Sequence, residues 1–492
     1  MRVRIKRMLI CALTLYLAGV YYFFILSADR SKLSVGPGNE AGDDLDTEMR
    51  HVAADGNIVY MKRKEFTGES ATQPRRTAYE LCPQLLPPPF NTADRQVFLP
   101  VGGQGLFYTF SAYVDDRLGK NGVLIILSIG DSRGKMMKFP RYCQVWYRDE
   151  NEEAPVAATA TLNVLPGGPE ILPEDKGLRY TGYTFNCPLP SQKRPYAVSL
   201  AYNKCDGPSG GVLKVLNTKS WPNTVKPRYR FAVCVTPLHL HYDNLNQFIE
   251  MVEMNRELGA EHFTFYNYSI GPRVTKALKH YIKEGVVDLI QWPVPVKVNV
   301  WPPIEGYKEE LYYFGQIPAL NDCLHRYLHK ANVTVMTDMD EFIVPRVDRT
   351  WRDLFERLGA MDEKVRAYVF KNTFFRTEWP NDESLLKNKS VNEFNLLTQL
   401  KTKRENYVSR PHTRSKYFAI TERVRIVGIH FVWKGFPGYP ERIVPEEVGL
   451  LHHYRNWEDP TDKNWIVDRT MHKYSDKLLL RLNNIHRLLK QL

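Results

Sequence analysis

Strand-like and helix-like apolar patterns alternate along residues 230–337, and that alternation restricts the fold more than any other feature of the sequence. Arg230–Val235 is a short apolar run ended by Pro237. Leu245, Phe248, Ile249 and Val252 then recur at helical spacing. His262–Tyr266 reads as a second strand, and Val274, Leu278, Tyr281 and Ile282 as a second helix capped by Gly285. Val286–Trp292 is a third strand, Ile317, Leu320, Leu324 and Leu328 mark a third helix, and Val333–Thr337 is a fourth strand. Strands alternating with helices specify a parallel α/β sheet. Such sheets bind ligands outside the carboxyl ends of their strands.

One such end carries VTVMTDMDEFIVP, residues 333–345. Side chains alternate along a strand, so Asp338 and Asp340 share a face, Met339 points into the core, and Glu341 turns away from Asp340. Two neighbouring carboxylates repel, and a hard divalent cation removes that cost; carboxylate with phosphate oxygens is a usual Mg²⁺ or Mn²⁺ environment. An isolated Asp-x-Asp is a pair of solvated turn aspartates. Here its place after the fourth strand of an α/β pattern favours cation ligation.

Asp338-Met-Asp-Glu-Phe-Ile-Val-Pro345 resembles the core signature of glycosyltransferase family 92. Phe231-Ala-Val-Cys-Val-Thr-Pro237, Glu257-Leu-Gly-Ala260, Gln316 with Asn321-Asp322-Cys323, and His453-Tyr-Arg455 match as well, so the resemblance covers about residues 226–470. It implies an α/β, GT-A-like (Rossmann-like) catalytic domain that moves galactose from UDP-galactose and forms a β1,4 bond. The family's acceptors, galactose or fucose on N-glycans or pectic galactan, differ among members, so the acceptor does not carry over. The resemblance also places Thr236 and Pro237 where the uridine loop begins, and Asn321 at a helix position that faces the nucleotide. Gln316 lies on the same helix, and Asn267, at the end of the second strand, is a further uridine candidate.

Transfer of this kind sets chemical demands. Mn²⁺ or Mg²⁺ held by Asp340, with Asp338 beside it toward the ribose or sugar, stabilises the leaving UDP. A histidine completes such a site: His430 and His453 are the candidates, with His430 favoured. Arg414 and Lys416, in RPHTRSKYF, are candidates for the diphosphate. A β bond made from an α-linked nucleotide sugar requires inversion, hence one general base for the acceptor hydroxyl. Glu378 and Asp382, in FFRTEWPNDES, fit that role, with Glu378 chosen and Trp379 nearby for sugar stacking.

The N-terminal region sets the expected compartment. Arg2, Arg4, Lys6 and Arg7 precede 21 uncharged residues that end before Asp29. That run matches a membrane-spanning helix with its basic flank on the cytoplasmic side. Tyr21, Tyr22, Phe23 and Phe24 are too bulky for the cleavage site of a signal peptide. The organisation expected is a cytoplasmic tail (1–7), an anchor (8–28), a polar stem (29–80), a β-rich luminal module (81–225), the catalytic domain (226–470) and a C-terminal basic helix (471–492). The β-rich module follows from short strands separated by Gly and Pro, and a sandwich is expected. The single anchor and stem resemble Golgi enzymes of type II topology.

Cys82, Cys143, Cys187, Cys205, Cys234 and Cys323 form an even set beyond the anchor, consistent with an oxidising space. Six cysteines allow 15 full pairings. Cys187 and Cys205 bracket a short Pro-rich loop and are the expected pair, while Cys234 and Cys323 are as well explained as buried thiols. Asn267, Asn332 and Asn388 begin N-glycosylation sequons; Asn332 and Asn388 are the expected sites, because a glycan on Asn267 would fill the donor cleft.

The net charge is +12, much of it in the N-terminal patch and in Arg481, His486, Arg487 and Lys490. No RNA-binding aromatic signature, zinc-finger spacing or phosphate-loop motif accompanies it, so no nucleic acid partner is expected. The expected partners are a UDP-sugar, a glycan acceptor on glycoproteins and the bilayer. A haloacid-dehalogenase-type phosphohydrolase needs its Asp-x-Asp after the first strand of its domain, which this chain lacks. A metal-independent glycosidase would need two opposed carboxylates. A non-catalytic glycan-binding surface protein built on the β-rich module is the third reading.

Overall fold

A computed structural model describes most of residues 94–491, with Cys82, Leu85 and two short strands nearer the N-terminus. Residues 103–105, 134–138, 149–158, 165–168, 175, 208–210, 219–225, 301–303, 361–362, 386–387, 457–462 and 492 lie outside the description. The chain forms two units, Met1–Gln73 and Pro74–Leu492. In the first, strands His51–Val52 and Ile58–Val59 pair antiparallel. The expected tail, the anchor at 8–28 and the rest of the stem lie outside the described residues. Among the described residues no helix is long and apolar enough to cross a membrane.

The second unit begins with the expected sandwich. One sheet runs in the order Leu99–Pro100, Phe107–Asp115, Val123–Asp131, Tyr180–Pro188, Glu170–Ile171; the other runs Leu213–Lys214, Pro195–Ala201, Tyr142–Tyr147, Thr159–Val164. All neighbours are antiparallel. Leu124, Ile126 and Phe185 of the first sheet meet Val145, Val198 and Leu200 of the second. Phe107 packs so closely on Gly130 that a Cβ there would lie 2.2 Å from its ring.

The disulfide expectation is corrected here. Cys187 bonds Cys143, joining the two sheets, and Cys205 bonds Cys82. Cys187 points inward from a central strand and so meets the opposite sheet, whereas Cys205 lies past the Pro195–Ala201 strand on the far side. Cys234 and Cys323, equally readable as thiols, are also bonded.

The α/β part follows the alternation read from the sequence. Its elements are β1 (Tyr229–Val235), α1 (Leu245–Leu258), β2 (His262–Asn267), α2 (Pro272–Glu284), β3 (Val287–Gln291), α3 (Gln316–Tyr327) and β4 (Ala331–Thr337). Local chemistry sets the ends. The Asn244 side chain accepts from Gln247 N at the start of α1, Pro272 opens α2, and Gly285 closes it with φ 77°. The chain continues through β5 (Glu341–Pro345), α4 (Trp351–Arg357), β6 (Ala367–Phe370), β7 (Asn372–Arg376), β8 (Lys416–Ile420), β9 (Glu441–Ile443), β10 (Gly449–Arg455) and α5 (Ser475–Gln491).

The main sheet has the order β3-β2-β1-β4-β8-β6-β9. Its β3, β2, β1 and β4 strands are parallel, while β8 runs antiparallel to both β4 and β6. A smaller sheet is ordered β5-β10-β7. Leu478, Leu482, Ile485 and Leu489 form one stripe of α5 and enter the main core, so the basic C-terminal helix is an integral part of it. The sandwich is not a detached module. Phe110, Ile129 and Tyr180 from its first sheet share a core with Ala319, Leu320 and Leu324 of α3, which is therefore covered on both sides.

Candidate functional site

The order of the main sheet reverses between β1 and β4, because β2 and β3 lie to one side of β1 and β4 lies to the other. Nucleotides bind at such a reversal in open α/β sheets. Val235 and Thr337 are register partners at the two strand ends. The next residues, Thr236 and Asp338, therefore meet, and the Thr236 hydroxyl donates to Asp338 Oδ1 at 2.6 Å. Lys416, at the start of β8, donates through Nζ to Asp338 Oδ2 at 2.8 Å. Both carboxylate oxygens of Asp338 are thus held by the protein.

The chain does not continue as a strand through the motif. β4 ends at Thr337, residues 338–340 turn, and β5 starts at Glu341 in the smaller sheet. The expected alternation of side chains is therefore corrected. Met339 packs against the main core, as expected, and also lines the cleft beside Asp338 and Asp340. Glu341 turns under the site: it is 1% exposed, its Oε2 lies 3.2 Å from Lys416 Nζ and accepts from the Asp338 backbone N, and its Oε1 lies 3.2 Å from His453 Nδ1. Glu341 and His453 are direct register partners on β5 and β10. His453 Nε2 in turn stands 3.4 Å from Asp340 Oδ2.

These contacts set the charges. Burial opposes ionisation of Asp338, but the Lys416 ammonium and the Thr236 hydroxyl outweigh it and hold the carboxyl well below the usual range. Burial also opposes the charge on Lys416, yet the Asp338 and Glu341 carboxylates raise its pKa. Burial pushes Glu341 up to about 7 against the pull of Lys416. Burial disfavours the imidazolium of His453, while Asp340 and Glu341 favour it and prevail.

Thr236, Pro237, Asp338, Asp340 and His453 line one open cleft of roughly 950 Å³. Arg455, Tyr313, His239, Tyr242 and Gln247 complete much of its wall; only Arg455 was noted in the sequence, as part of a matching stretch and without a site role. Arg455 had a signal, since it sits two residues beyond His453 on the same strand face. Tyr313 had none: Tyr313, Phe314 and Gly315 all have positive φ, and the Trp292 indole, which donates to Phe314 O at 3.0 Å, anchors that turn. The His239 ring stacks on Phe314 at 3.9 Å.

Other sequence candidates stand elsewhere. Asn321 is 1% exposed, donates to Ile317 O and Val427 O, and accepts from Val427 N, so its side chain is used inside the fold instead of facing a ligand. Gln316 is buried at the first turn of α3. The Asn267 amide donates to Gln291 Oε1 at 2.9 Å, at the β2–β3 edge and off the cleft wall. His430 is held by Ser415 O at 3.2 Å, and burial, with Lys416 close by, lowers it to about 4; His453, not His430, adjoins Asp340. Arg414 lies over the Phe374 ring, which packs on His453. Asp382 accepts from Ser384, Thr402 and Arg469. Burial opposes its charge, but those partners hold its carboxyl well below the usual range. Glu378 is exposed just past β7, while Trp379 is 3% exposed and packs on Trp465, which leaves no open face for sugar stacking. Asn332 is exposed near the start of β4, and Asn388 caps the helix Lys389–Phe394.

Comparison with known proteins shows the family. The profile described as glycosyltransferase family 92 matches residues 229–485. The β-1,4-galactosyltransferase galt-1 of Caenorhabditis elegans is 26% identical over 137 residues, 27% of this chain and 29% of the relative. The glycosyltransferase family 92 protein C33H5.2 of the same organism is 23% identical over 251 residues, 51% of this chain and 45% of the relative. These matches span less than half the length of either relative. Among solved structures, S. aureus TarS 1-349 in complex with UDP-GlcNAc aligns over 52% of this chain and 67% of that chain, with 9% identity and a TM-score of 0.27, too low to support any argument. The profile match begins at β1, takes in the whole cleft and ends within α5, just over half of the sequence, and on that match the chain belongs to glycosyltransferase family 92.

Proposed function

We propose that the chain is an inverting glycosyltransferase that moves galactose from UDP-galactose to a hydroxyl of a glycan acceptor on glycoproteins, forming a β1,4 bond to galactose or fucose. The observation that carries this reading is the meeting of Thr236, Asp338, Asp340 and His453 at the strand-order reversal, in an open cleft. The family and the printed name of the galt-1 relative support the choice of chemistry and of sugar. The reading also keeps the type II Golgi topology expected from the N-terminal run.

The cleft's donor set suits Mn²⁺ or Mg²⁺. Asp340 and His453 offer an oxygen and a nitrogen to the same space, and Asp338 sits beside them with its orientation fixed. Among the described residues no three ligating side chains cluster tightly enough to cage an ion alone. A cation held there would need further ligands, such as diphosphate oxygens and water. When bound, such an ion supplies Lewis-acid stabilisation of the departing UDP. The chain's own groups do the positioning. Thr236 and Lys416 lock Asp338, the Glu341 carboxylate stands 3.2 Å from His453 Nδ1, and the Arg455 side chain brings positive charge to the cleft wall. The acceptor hydroxyl needs a base. Glu378, exposed just past β7, is assigned that role here.

The test is transfer by the full chain with Mn²⁺, a panel of UDP-sugars and galactose- or fucose-terminated glycans. Transfer from UDP-galactose with inversion is expected, and Glu378→Gln should lower kcat with little change in the donor KM. No transfer from any UDP-sugar, or hydrolysis of glycans without nucleotide, would overturn the reading.

A further inference from the structure

A second surface is built for a ligand, beside the cleft and separate from its walls. Strands Val424–Val427 and Val432–Gly435 form a short antiparallel ribbon. It carries Trp433, which is 46% exposed. The indole is nonetheless fixed. Its Nε1 donates to Glu174 Oε1 at 3.2 Å, and the same oxygen accepts from Ile429 N at 3.3 Å. The ring lies on Gly428 so closely that a Cβ there would come within 2.1 Å of it. A carboxylate from the residues after the Glu170–Ile171 strand and a missing side chain in the ribbon therefore hold a half-exposed indole in one orientation.

Two more rings pack in series against it. Phe431 lies 5.1 Å from Trp433 at 30°, and His412 lies 4.8 Å from Phe431. Glu441 Oε2, 2.9 Å from His412 Nε2, holds that imidazole. The His412 backbone N donates to Ser415 Oγ, adjacent to Lys416, the residue that grips Asp338. The row thus runs from beside the cleft's base to a groove at Trp433 whose walls include Ile171, Leu172, Ile426 and Lys434.

The charges in the groove are internally matched: Glu170 is paired with Lys434 and lies 3.7 Å from Arg425. Among the described residues there is no cation excess for a phosphate or nucleic acid chain and no acidic cluster for a metal. A rigid apolar ring edged by fixed carboxylates and cations fits a neutral polyhydroxylated ring, whose C–H face stacks and whose hydroxyls reach the polar edge. Fixing the indole beforehand lowers the ordering cost of binding.

We infer that the His412–Phe431–Trp433 row is an oligosaccharide subsite that receives the inner sugars of the acceptor glycan. Its part in turnover rests on the transferase reading, while its binding does not. The probe is a galactose-terminated biantennary N-glycan, titrated calorimetrically into the full chain. Trp433→Ala and Gly428→Ala should each weaken binding by tenfold or more, with melting temperature unchanged, and Trp433→Phe should restore part of it. In turnover, Trp433→Ala should raise the KM for that glycan while leaving the KM for lactose and acceptor-free UDP-galactose hydrolysis unchanged. If Trp433→Ala binds the glycan like wild type, the subsite is wrong even where transfer is robust. If the glycan binds through Trp433 but no UDP-sugar turns over, the transferase reading falls and the subsite stands. Binding of a glycan-free polypeptide at Trp433 in place of the glycan would also overturn it.

Discussion

Asp322→Asn tests how the sandwich and the nucleotide half are held together. Asp322, on α3, is fully buried. Its Oδ1 accepts from Ser111 Oγ at 2.5 Å and Tyr113 OH at 2.7 Å, both from the sandwich. Its Oδ2 accepts from Tyr266 OH of β2 at 2.7 Å and Arg326 Nε at 2.6 Å. The amide keeps the shape, but it removes the charge that compensates a guanidinium in the interior. Breaking a buried pair in this way costs roughly 3–5 kcal/mol. Asp94 Oδ2, 3.6 Å from Arg326, offsets part of it and favours the lower end. For a unit of about 400 residues, an unfolding entropy of ~2.1 cal/mol/K per residue converts this to about 4–6 °C in Tm. Tyr113→Phe, which removes one bond to a charged group, should cost about 2–3 °C.

The pH dependence adds a second reading of the same variant. Burial opposes the charge on Asp322, but Arg326 and the hydroxyls outweigh it and lower its pKa. A lowered carboxylate stabilises the fold above the unfolded value, near 4, and loses that contribution as pH falls through the folded value. The gap between wild type and Asp322→Asn should therefore be full at pH 7 and 5 and close below about pH 4. Scanning calorimetry across that range is the assay. A variant that melts within 1 °C of wild type at pH 7 would refute the argument.

Asp340→Asn should leave melting unchanged, because the side chain is only partly buried, and lower transfer by roughly a hundredfold or more. EDTA should abolish transfer and Mn²⁺ restore it; near wild-type rates in either experiment would remove the metal from the reading. Peptide mapping should find glycan on the exposed Asn332 and on Asn388 but none on Asn267, whose amide nitrogen is engaged by Gln291; full occupancy at Asn267 would contradict that contact. Protease treatment of intact microsomes should spare everything after about residue 30, and digestion of the 226–470 region would refute the luminal assignment.

The elements of residues 229–337 were legible because each buries a regular face and carries its own end signal, as Asn244, Pro272 and Gly285 do. Within the cleft, Thr236, Pro237, Asp338 and Asp340 were named from strand ends and from the family resemblance, and His453 was named only as the second choice after His430. What failed depended on distant partners. Asn321 could not be read as a structural clamp, because its partner Val427 is 106 residues away. The disulfides could not be paired, because Cys143 and Cys187 meet only once two sheets stack. Glu341 was misjudged because alternation holds within a strand and not across a turn into another sheet.

That turn has a consequence for what the spacing of the motif encodes. Residues 338–340 are the seam where the chain leaves one sheet and enters another, with Val335 and Thr337 in register with β1 on one side and Glu341 opposite His453 on the other. One residue added between Asp340 and Glu341 would slip β5 by one position and reverse its two faces. The added residue would then stand opposite His453, and the Glu341 carboxylate would be driven toward the core that now holds Phe342. The interval between the acidic residues and Glu341 is thus a length tolerance set by the joint between two sheets, and it would be enforced by folding even in a relative that had lost every ligand.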